Sequence, residues 1–284
     1  MRSGARSLVV PALLWLGVFA IAPLAFLAIV SFWKASAFGL STDASLDSYR
    51  VLVSDRVYAQ VLWQTLRIAV VTTLLSLVVS YPLAMFLARL KGQHKTLAVV
   101  LVFLPFWTSY VVRTFVWLPM LGRTGLVNQV LLGLGIIDRP LDWLLYNEGA
   151  VYVGLVYVYT LYMTLPIYLS LDRLDPKLVE AAGDLGATPL QAFRRVMLPL
   201  SLPGVWSGCT MVFLLSCGAY VTPQLLGGTS GQMIGNVIAS QFLHTNNWPL
   251  GAALSVVLVA VVIAFVFIAG RRLGLQQIFM GEHR

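Results

Sequence analysis

The chain has 284 residues, of which 59% are hydrophobic and 11% are charged. A soluble domain carries about 25% charged residues, so this composition excludes an ordinary soluble protein and indicates a membrane protein. The net charge of +8 could serve nucleic-acid binding or membrane topology. The distribution of the basic residues favours topology, and no nucleic-acid partner is predicted.

Six long apolar segments predict an all-α polytopic membrane protein with six transmembrane helices. The predicted spans cover residues 8–33, 68–88, 96–121, 149–171, 202–226 and 250–270. A cleaved signal peptide is the alternative for the first segment, but the apolar run is longer than a signal peptide needs and no small-residue cleavage site is evident. The last two spans lie in a run of 75 residues, 196–270, without Asp, Glu, Lys or Arg. That run is too long for a single helix across a bilayer.

The segments between the predicted spans are short. A short amphipathic helix is predicted at Tyr58–Leu66, and a short apolar helix at Leu126–Leu134. The polar segment Gly227–Pro249, which separates the last two spans, is predicted to be a loop. No segment is long enough to enclose a ligand as a soluble domain, so substrate capture would depend on another chain.

One polar stretch, residues 172–199, separates the fourth and fifth spans and predicts two short helices joined by a turn. Asp175 is a favourable N-cap for the first helix, and Gly186 can adopt the left-handed conformation that ends it. Thr188 is the N-cap of the second helix, and Pro199 is predicted to end it because proline lacks the N–H that a helix interior needs. Spacings of three and four give each helix an apolar face. These faces contain Leu178, Ala181, Ala182 and Leu185 in the first helix and Leu190, Phe193 and Met197 in the second.

The distribution of basic residues predicts the orientation in the membrane. With six spans, both termini and the stretch 172–199 lie on one side, which carries twelve Lys and Arg residues. The other side carries seven if the intramembrane Arg113 is included. The positive-inside rule therefore places both termini and this stretch in the cytoplasm.

The stretch 172–199 resembles the EAA loop of the permease subunits of binding-protein-dependent ABC importers. The resemblance rests on Glu180-Ala181-Ala182, Gly186 and Leu198-Pro199 at the family's spacing, with Val196 where isoleucine is commoner. It implies a type I ABC importer permease fold, and a loop that docks in a groove on a cytoplasmic ATPase and couples nucleotide hydrolysis to opening of the membrane pathway. The residues implied in coupling are Glu180, Ala181, Ala182, Gly183, Leu185, Gly186, Leu198 and Pro199. The alternative is a polar loop that packs against the chain's own spans.

Polar residues inside the predicted spans are candidates for a transport pathway, because the hydrocarbon core penalises them. The candidates in the third span are Trp107, Tyr110 and Arg113. The candidates near the end of the fifth span are Tyr220, Thr222 and Gln224, beside a helix-interrupting Pro223. The alternatives are an aromatic belt, an arginine that extends to water at the outer interface, and a simple span terminus. Gly204 and Gly208 form a G-x-x-x-G motif, which permits close helix packing within the chain or across a dimer.

The same stretches narrow the resemblance to the first permease of spermidine/putrescine importers. The likeness spans nearly the whole chain and is carried by PFWTSYVVRTFVWLPMLGRTGLVNQVL at 105–131, GAYVTPQLLGG at 218–228 and IGNVIASQFL at 234–243. It implies a second permease subunit as a heterodimer partner, two copies of a cytoplasmic ATPase subunit that binds ATP and Mg²⁺, and a periplasmic solute-binding protein. It also implies a multi-pass protein of the bacterial inner membrane that has no catalytic residue and binds no cofactor or metal itself.

The resemblance implies a polyamine-like solute, with one departure. Polyamine permeases often carry acidic residues in the segment that matches 218–228, where this chain has residues such as Ala219 and Gln224. A polycation in an apolar pathway needs carboxylates or aromatic faces to offset its desolvation. An opine, another amino-acid derivative or a further anionic or zwitterionic metabolite is therefore the alternative solute.

The sequence also bears on the source of energy. No G-x-x-x-x-G-K-[ST] motif occurs, so the chain is not predicted to hydrolyse ATP by a phosphate-binding loop of that kind. The predicted spans contain no carboxylate of the type that couples a secondary transporter to an ion gradient. An ion-coupled secondary transporter or channel is the lower alternative, and a membrane enzyme is a further one.

Overall fold

A computed structural model describes residue 11 and residues 14–36 and 39–272. This part of the chain is almost entirely helical. Its only strands, β1 (Lys34–Ser36) and β2 (Gly39–Ser41), pair antiparallel with Ala35 opposite Leu40. The helices up to residue 133 are α1 Ala22–Val30, α2 Asp47–Ser54, α3 Arg56–Arg89, α4 Gly92–Phe103, α5 Tyr110–Phe115, α6 Trp117–Leu121 and α7 Leu126–Gly133. The later helices are α8 Glu148–Asp172, α9 Pro176–Asp184, α10 Pro189–Ala192, α11 Leu198–Cys217, α12 Val221–Leu226, α13 Ile234–Leu243 and α14 Trp248–Arg272. The π-helical turns are Gly17–Ile21 and Phe193–Met197, and the 3₁₀ turns are Leu104–Trp107 and Asp142–Leu144.

Four of the described helices are long and apolar enough to cross a membrane: α3, α8, the continuous helix Pro189–Cys217, and α14 up to Ile268. A fifth is added if the bent pair Gly92–Trp107 and Tyr110–Gly133 forms one span. The predicted count of six stays a prediction, and residues 8–10, 12 and 13 of the first predicted span lie outside the described residues. Helices α8 and α14 agree with the predicted spans 149–171 and 250–270 to within two residues at each end.

The third predicted span, 96–121, is bent, and its place as one span stays a prediction. The chain bends by 93° between Trp107 and Tyr110. Pro105 supplies the physical reason, because it lacks the N–H that would continue the hydrogen-bond ladder of α4. Thr108 is extended, with φ −89° and ψ 146°, and its hydroxyl donates to the Pro105 carbonyl at 2.7 Å. The Thr108 hydroxyl therefore satisfies a carbonyl group at the bend.

The fifth predicted span, 202–226, is interrupted beside Pro223, as the sequence indicates. Helix α11 ends at Cys217 with Gly218 beyond it, and α12 is a separate short helix that contains Pro223. Proline cannot donate the backbone hydrogen bond that would join the two helices. The chain is therefore interrupted in the segment where the sequence placed a polar candidate site.

The expectation that Pro199 ends a short helix is wrong. The helix runs from Pro189 to Cys217 without a stop. A π-helical turn at Phe193–Met197 comes directly before Pro199. Proline is costly inside an α-helix because it removes one hydrogen bond and crowds the preceding turn, and the wider π turn relieves this conflict. The loop 172–199 is thereby continuous with a long apolar helix.

Two elements predicted between the spans, one helix and one loop, differ from the structure. The predicted helix Tyr58–Leu66 is the first part of α3, which begins at Arg56 rather than near residue 68. No glycine or proline interrupts residues 56–81, so the chain has no local stop signal there. The predicted loop Gly227–Pro249 contains α13, whose apolar residues pack with Leu250 and Leu254. The short helix predicted at Leu126–Leu134 is confirmed as α7.

The described chain forms two units, residues up to 62 with 234–267, and residues 63–233 with the remainder. In the second unit, α11 lies directly against α8. A Cβ added at Gly204 would lie 2.4 Å from the Pro166 carbonyl oxygen, and one at Gly208 would lie 3.1 Å from the Met163 carbonyl oxygen. The G-x-x-x-G motif therefore packs within the chain, against the backbone of α8.

Candidate functional site

The stretch 172–199 contains the two predicted short helices, α9 and α10, with the predicted caps. The Asp175 carboxylate accepts a hydrogen bond from the Lys177 backbone N–H at 3.0 Å and caps α9. Gly186 ends the turn at φ +83°, which is the left-handed region that favours glycine. Thr188 and Gln191 form a reciprocal capping box at the start of α10. The three predictions about caps are confirmed.

The second half of this stretch is anchored in the core of its unit. The ring of Phe193 packs edge-on against Tyr81 of α3, with ring centroids 5.5 Å apart. The Tyr81 hydroxyl in turn shares a 2.8 Å hydrogen bond with Ser201 of α11, and Met197 and Leu198 pack against the same core. A force applied to α10 would therefore reach both α3 and α11 through packed side chains.

The helix pair α9 and α10, with the turn between them, presents an apolar face to the exterior. Leu185 is 90% exposed, Leu190 59% and Leu178 48%. In the part of the chain that the structure describes, Leu185 is almost entirely uncovered and the other two leucines are about half uncovered. A cavity of about 390 Å³ lies beside them, lined by residues that include Ala182 and Gly186. The alternative of a loop packed on its own spans therefore fits Phe193, Met197 and Leu198 but not this face.

The predicted coupling residues occupy distinct positions in this arrangement. The exposed ones are Glu180, Ala181, Gly183, Leu185, Gly186 and Pro199, and the half-buried ones are Ala182 and Leu198. A Cβ at Gly183 would meet open space, so its small size is not required by packing within this chain. Apart from Pro199 at the start of α11, the exposed set lies on α9 and the turn after it.

The two groups of pathway candidates meet at one hydrogen-bonded cluster. The Tyr110 and Thr222 hydroxyls lie 2.7 Å apart, and the Thr114 hydroxyl lies 3.3 Å from the Thr222 hydroxyl. Thr222 is fully buried, and α12 approaches α8 closely where Gly154 has no side chain. Sequence reasoning missed Thr114, although its position four residues after Tyr110 places both on one helix face.

The other aromatic and amide candidates are more exposed than this buried cluster. Trp107 is 90% exposed at the bend, Tyr220 is 37% exposed, and Gln224 is exposed. They lie on the surface of the described chain beside the elements that hold the cluster.

Arg113 occupies a different position, at the wall of an apolar groove. The residue is only 6% exposed, which disfavours the alternative of an arginine extended to water. The guanidinium carbon lies 5.9 Å from the ring centroid of Phe106. Among the described residues, no acceptor bonds to its Nε or Nη1 atoms. The groove has a volume of about 550 Å³ and also contains Trp117 and Tyr157 in its lining.

A bundle of apolar helices with a capped, exposed helix pair on a long span is the architecture of an importer's membrane subunit, and comparison with known families agrees. Residues 8–274 match the family described as binding-protein-dependent transport system inner membrane component. The chain belongs to this family. It is therefore a multi-pass ABC transporter permease of the inner membrane, a transport subunit rather than an enzyme.

Within this family, the chain is similar to permeases of spermidine/putrescine transport systems. The chain is 42% identical to the spermidine/putrescine transport system permease protein PotB of Escherichia coli (strain K12) over 217 residues, which cover 76% of this chain and 78% of that protein. It is 36% identical to PotB of Haemophilus influenzae over 255 residues, which cover 89% of this chain and 88% of that protein. The resemblance to this type of permease, first seen in the sequence, is confirmed.

A solved structure supports the fold. A bacterial alginate ABC transporter, in complex with an alginate pentasaccharide-bound periplasmic protein, contains a chain that matches with a TM-score of 0.71. The match covers 95% of this chain and 94% of that chain at 17% identity. At this identity the likeness shows the fold alone.

Proposed function

We propose that the chain is one half of the transmembrane pathway of an ATP-driven importer, and that α9 and α10 couple it to a cytoplasmic ATPase. The observation that carries the proposal is the uncovered apolar face at Leu178, Leu185 and Leu190 on a capped helix pair. Exposed apolar patches on a folded surface are typical of docking sites. Anchored by Phe193 and continuous with α11, this pair can transmit a displacement into the membrane.

The mechanism follows from the way the pair is attached. Closure of two ATPase subunits around ATP moves the docked helices α9 and α10. The continuous helix Pro189–Cys217 then moves as one body, and the Tyr81 contacts with Phe193 and Ser201 carry the motion to α3. The pathway switches from inward-open to outward-open, and a periplasmic binding protein releases its solute into it.

The proposed assembly contains this chain, a second permease subunit, two copies of the ATPase subunit and a periplasmic solute-binding protein. ATP and Mg²⁺ bind to the ATPase subunits. Six spans place both termini and the stretch 172–199 in the cytoplasm, as the positive-inside rule predicts. The Lys and Arg excess on that side supports the orientation.

Ala182→Arg tests the docking face directly. Ala182 is half-buried beside the cavity next to the exposed leucines, and an arginine there would place a charge in the docking contact. We expect loss of ATP-driven uptake and of ATPase stimulation, with normal membrane insertion. Ala44→Arg, which places the same charge at an exposed alanine outside the membrane helices and far along the chain from the helix pair, is the control. Retention of both activities by Ala182→Arg would refute the docking assignment for this face.

The proposed solute is a polyamine of the spermidine/putrescine class. The names of the PotB relatives support it, together with the half-buried aromatic ring of Tyr110, whose hydroxyl reaches Thr222 of the interrupted segment. Aromatic faces stabilise cationic groups in a desolvated pathway. A carboxylate-bearing metabolite, anionic or zwitterionic, is the second candidate, and the observation that favours it is the buried Arg113.

Uptake into proteoliposomes that contain the full assembly tests both points. Labelled spermidine should accumulate only with internal ATP, and an ion gradient without ATP should drive none. Competition by unlabelled putrescine with no competition by an opine would support the polyamine. The opposite pattern would favour the second candidate, and gradient-driven uptake without ATP would overturn the importer mechanism.

A further inference from the structure

Two side chains with unused N–H groups line the apolar groove beside α8. The Nε and Nη1 atoms of Arg113 and the Nε1 atom of Trp117 are buried, and none has a hydrogen-bond partner among the described residues. Both side chains line the same groove of about 550 Å³. All three groups are donors, so a group that satisfies them must supply acceptors. The positive charge of Arg113 makes an anion the fitting occupant.

The depth of Arg113 along α8 limits which anion can reach it. The guanidinium lies against Phe106, and Phe106 packs against Tyr162 with ring centroids 4.6 Å apart. Tyr162 is 14 residues from Glu148 and 10 residues from Asp172, the two ends of α8. At about 1.5 Å per residue, this level is roughly 21 Å from one end and 15 Å from the other. Arg113 therefore lies near the middle of a hydrocarbon core about 30 Å thick.

The ends of α8 are marked by ion pairs. Arg67 pairs with Glu148 at one end, and Lys95 pairs with Asp172 at the other. Charged pairs of this kind suit the two interfaces of a span. Lipid phosphates lie at those interfaces, so the guanidinium is too deep to reach one. A carboxylate carried on another membrane helix can be placed at mid-depth.

A transported solute is also a poor resident partner. A solute is present during only part of a transport cycle, whereas a buried, unpaired guanidinium is costly at all times. An anion that belongs to the assembly satisfies Arg113 throughout the cycle. The surrounding groove is lined by exposed or half-exposed apolar residues, Leu75, Val78 and Val79 of α3 among them, which suits an apolar helix around that anion.

We infer that the groove at Arg113 and Trp117 receives a membrane helix of the second permease subunit, and that an Asp or Glu side chain on this helix pairs with Arg113. The inference rests on the proposed function in one respect, the presence of a second permease. It assigns Arg113 to subunit assembly rather than to solute binding, and so removes the observation that favours a carboxylate-bearing solute. The Trp117 N–H provides a second donor to the same carboxylate or to its backbone.

Retention of the second permease tests the inference. The tagged chain is co-expressed with its second permease and ATPase subunits, the assembly is purified in detergent, and the co-purified second permease is quantified. Arg113→Glu should lower retention at least about tenfold, because a like charge would face the partner's carboxylate. Arg113→Lys should retain more than Arg113→Gln, and Trp117→Phe, which keeps the ring, should lower retention less than Arg113→Glu does.

Arg123→Glu is the matched control. Arg123 is exposed and pairs with Asp142 at the surface, so its reversal should leave retention unchanged. A charge reversal of one membrane-embedded Asp or Glu in the second permease should restore retention to Arg113→Glu. Alkaline extraction measures whether each variant is inserted in the membrane. Trp117→Phe tests the groove without a change of charge, because it removes only the indole N–H donor.

Four outcomes separate the possibilities. Normal retention with Arg113→Glu, while the wild-type assembly is intact, overturns the inference and leaves the proposed function standing. A wild-type chain that retains no second permease and takes up no solute overturns the proposed function itself. Loss of bound anionic phospholipid from Arg113→Gln in native mass spectrometry, with unchanged retention, assigns the groove to a lipid. A changed KM for a carboxylate solute with unchanged retention assigns Arg113 to the solute.

Discussion

Leu185→Ala measures how much the exposed leucine on the helix pair contributes to docking. Leu185 is 90% exposed, so nearly all of its side chain is available to a partner. The substitution removes three carbon groups at about 0.8 kcal/mol each when fully buried, which gives an upper limit of about 2.4 kcal/mol. Since 1.4 kcal/mol is tenfold in affinity, the ATPase subunit should bind up to about 50-fold more weakly.

The assay is the ATPase concentration that gives half-maximal stimulation by the reconstituted permease. It should rise by roughly 10- to 50-fold, whereas thermal stability should not change because Leu185 packs against little of its own chain. Leu134→Ala, at a leucine that is 68% exposed on a different loop, should have no effect. An unchanged half-maximal concentration for Leu185→Ala would refute the assignment of this face to docking.

Three further substitutions probe the coupling turn, the helix contact and the pathway. Gly186→Ala, at φ +83°, should strain the coupling turn by about 1–2 kcal/mol and reduce ATP-driven uptake while membrane insertion stays intact. Gly135→Ala, at φ +67° and outside the stretch 172–199, should carry the same strain without the transport defect. Gly204→Ala should lower the free energy of unfolding by about 1–3 kcal/mol, and with it the unfolding temperature, because the added Cβ would meet the α8 backbone. The Cβ of Gly133→Ala meets open space, so this control should not lower the unfolding temperature. Tyr110→Phe removes the hydroxyl 2.7 Å from Thr222 and should change the KM for uptake while the ATPase still co-purifies; identical uptake kinetics would count against this cluster as part of the pathway.

The helix pair was predictable from sequence because its determinants are local. Asp175, Gly186 and Thr188 act within a few residues of their positions, and each has the conformation or cap that its residue type favours. The family spacing from Glu180 to Pro199 then identified the class of protein without any structural information.

The errors arose where the outcome depends on the register of hydrogen bonds. Prolines occur at 105, 199 and 223, yet the helix bends at the first, continues through the second and is interrupted near the third. The helix continues through Pro199 because a π-helical turn precedes it, and residue type alone does not reveal such a turn.

The environment of Arg113 depends on tertiary contacts and could not be predicted. The sequence showed an arginine within an apolar run, which fits either a residue extended to water or a buried one. Only the packing of Phe106, Trp117 and α8 around it shows a buried guanidinium with unused donors. The close contact of Gly204 and Gly208 with α8 is another tertiary fact, since the motif alone fits a dimer as well.

Photo-crosslinking from position 185 tests the central claim most directly. A photoreactive phenylalanine analogue replaces Leu185 in the full assembly, and the adducts are identified by mass spectrometry in inside-out and right-side-out vesicles. A helix pair that transmits ATPase motion should give an adduct with the ATPase subunit in the cytosol, and its yield should change when ATP is added. Adducts confined to the chain itself, or to periplasmic protein, would contradict this mechanism.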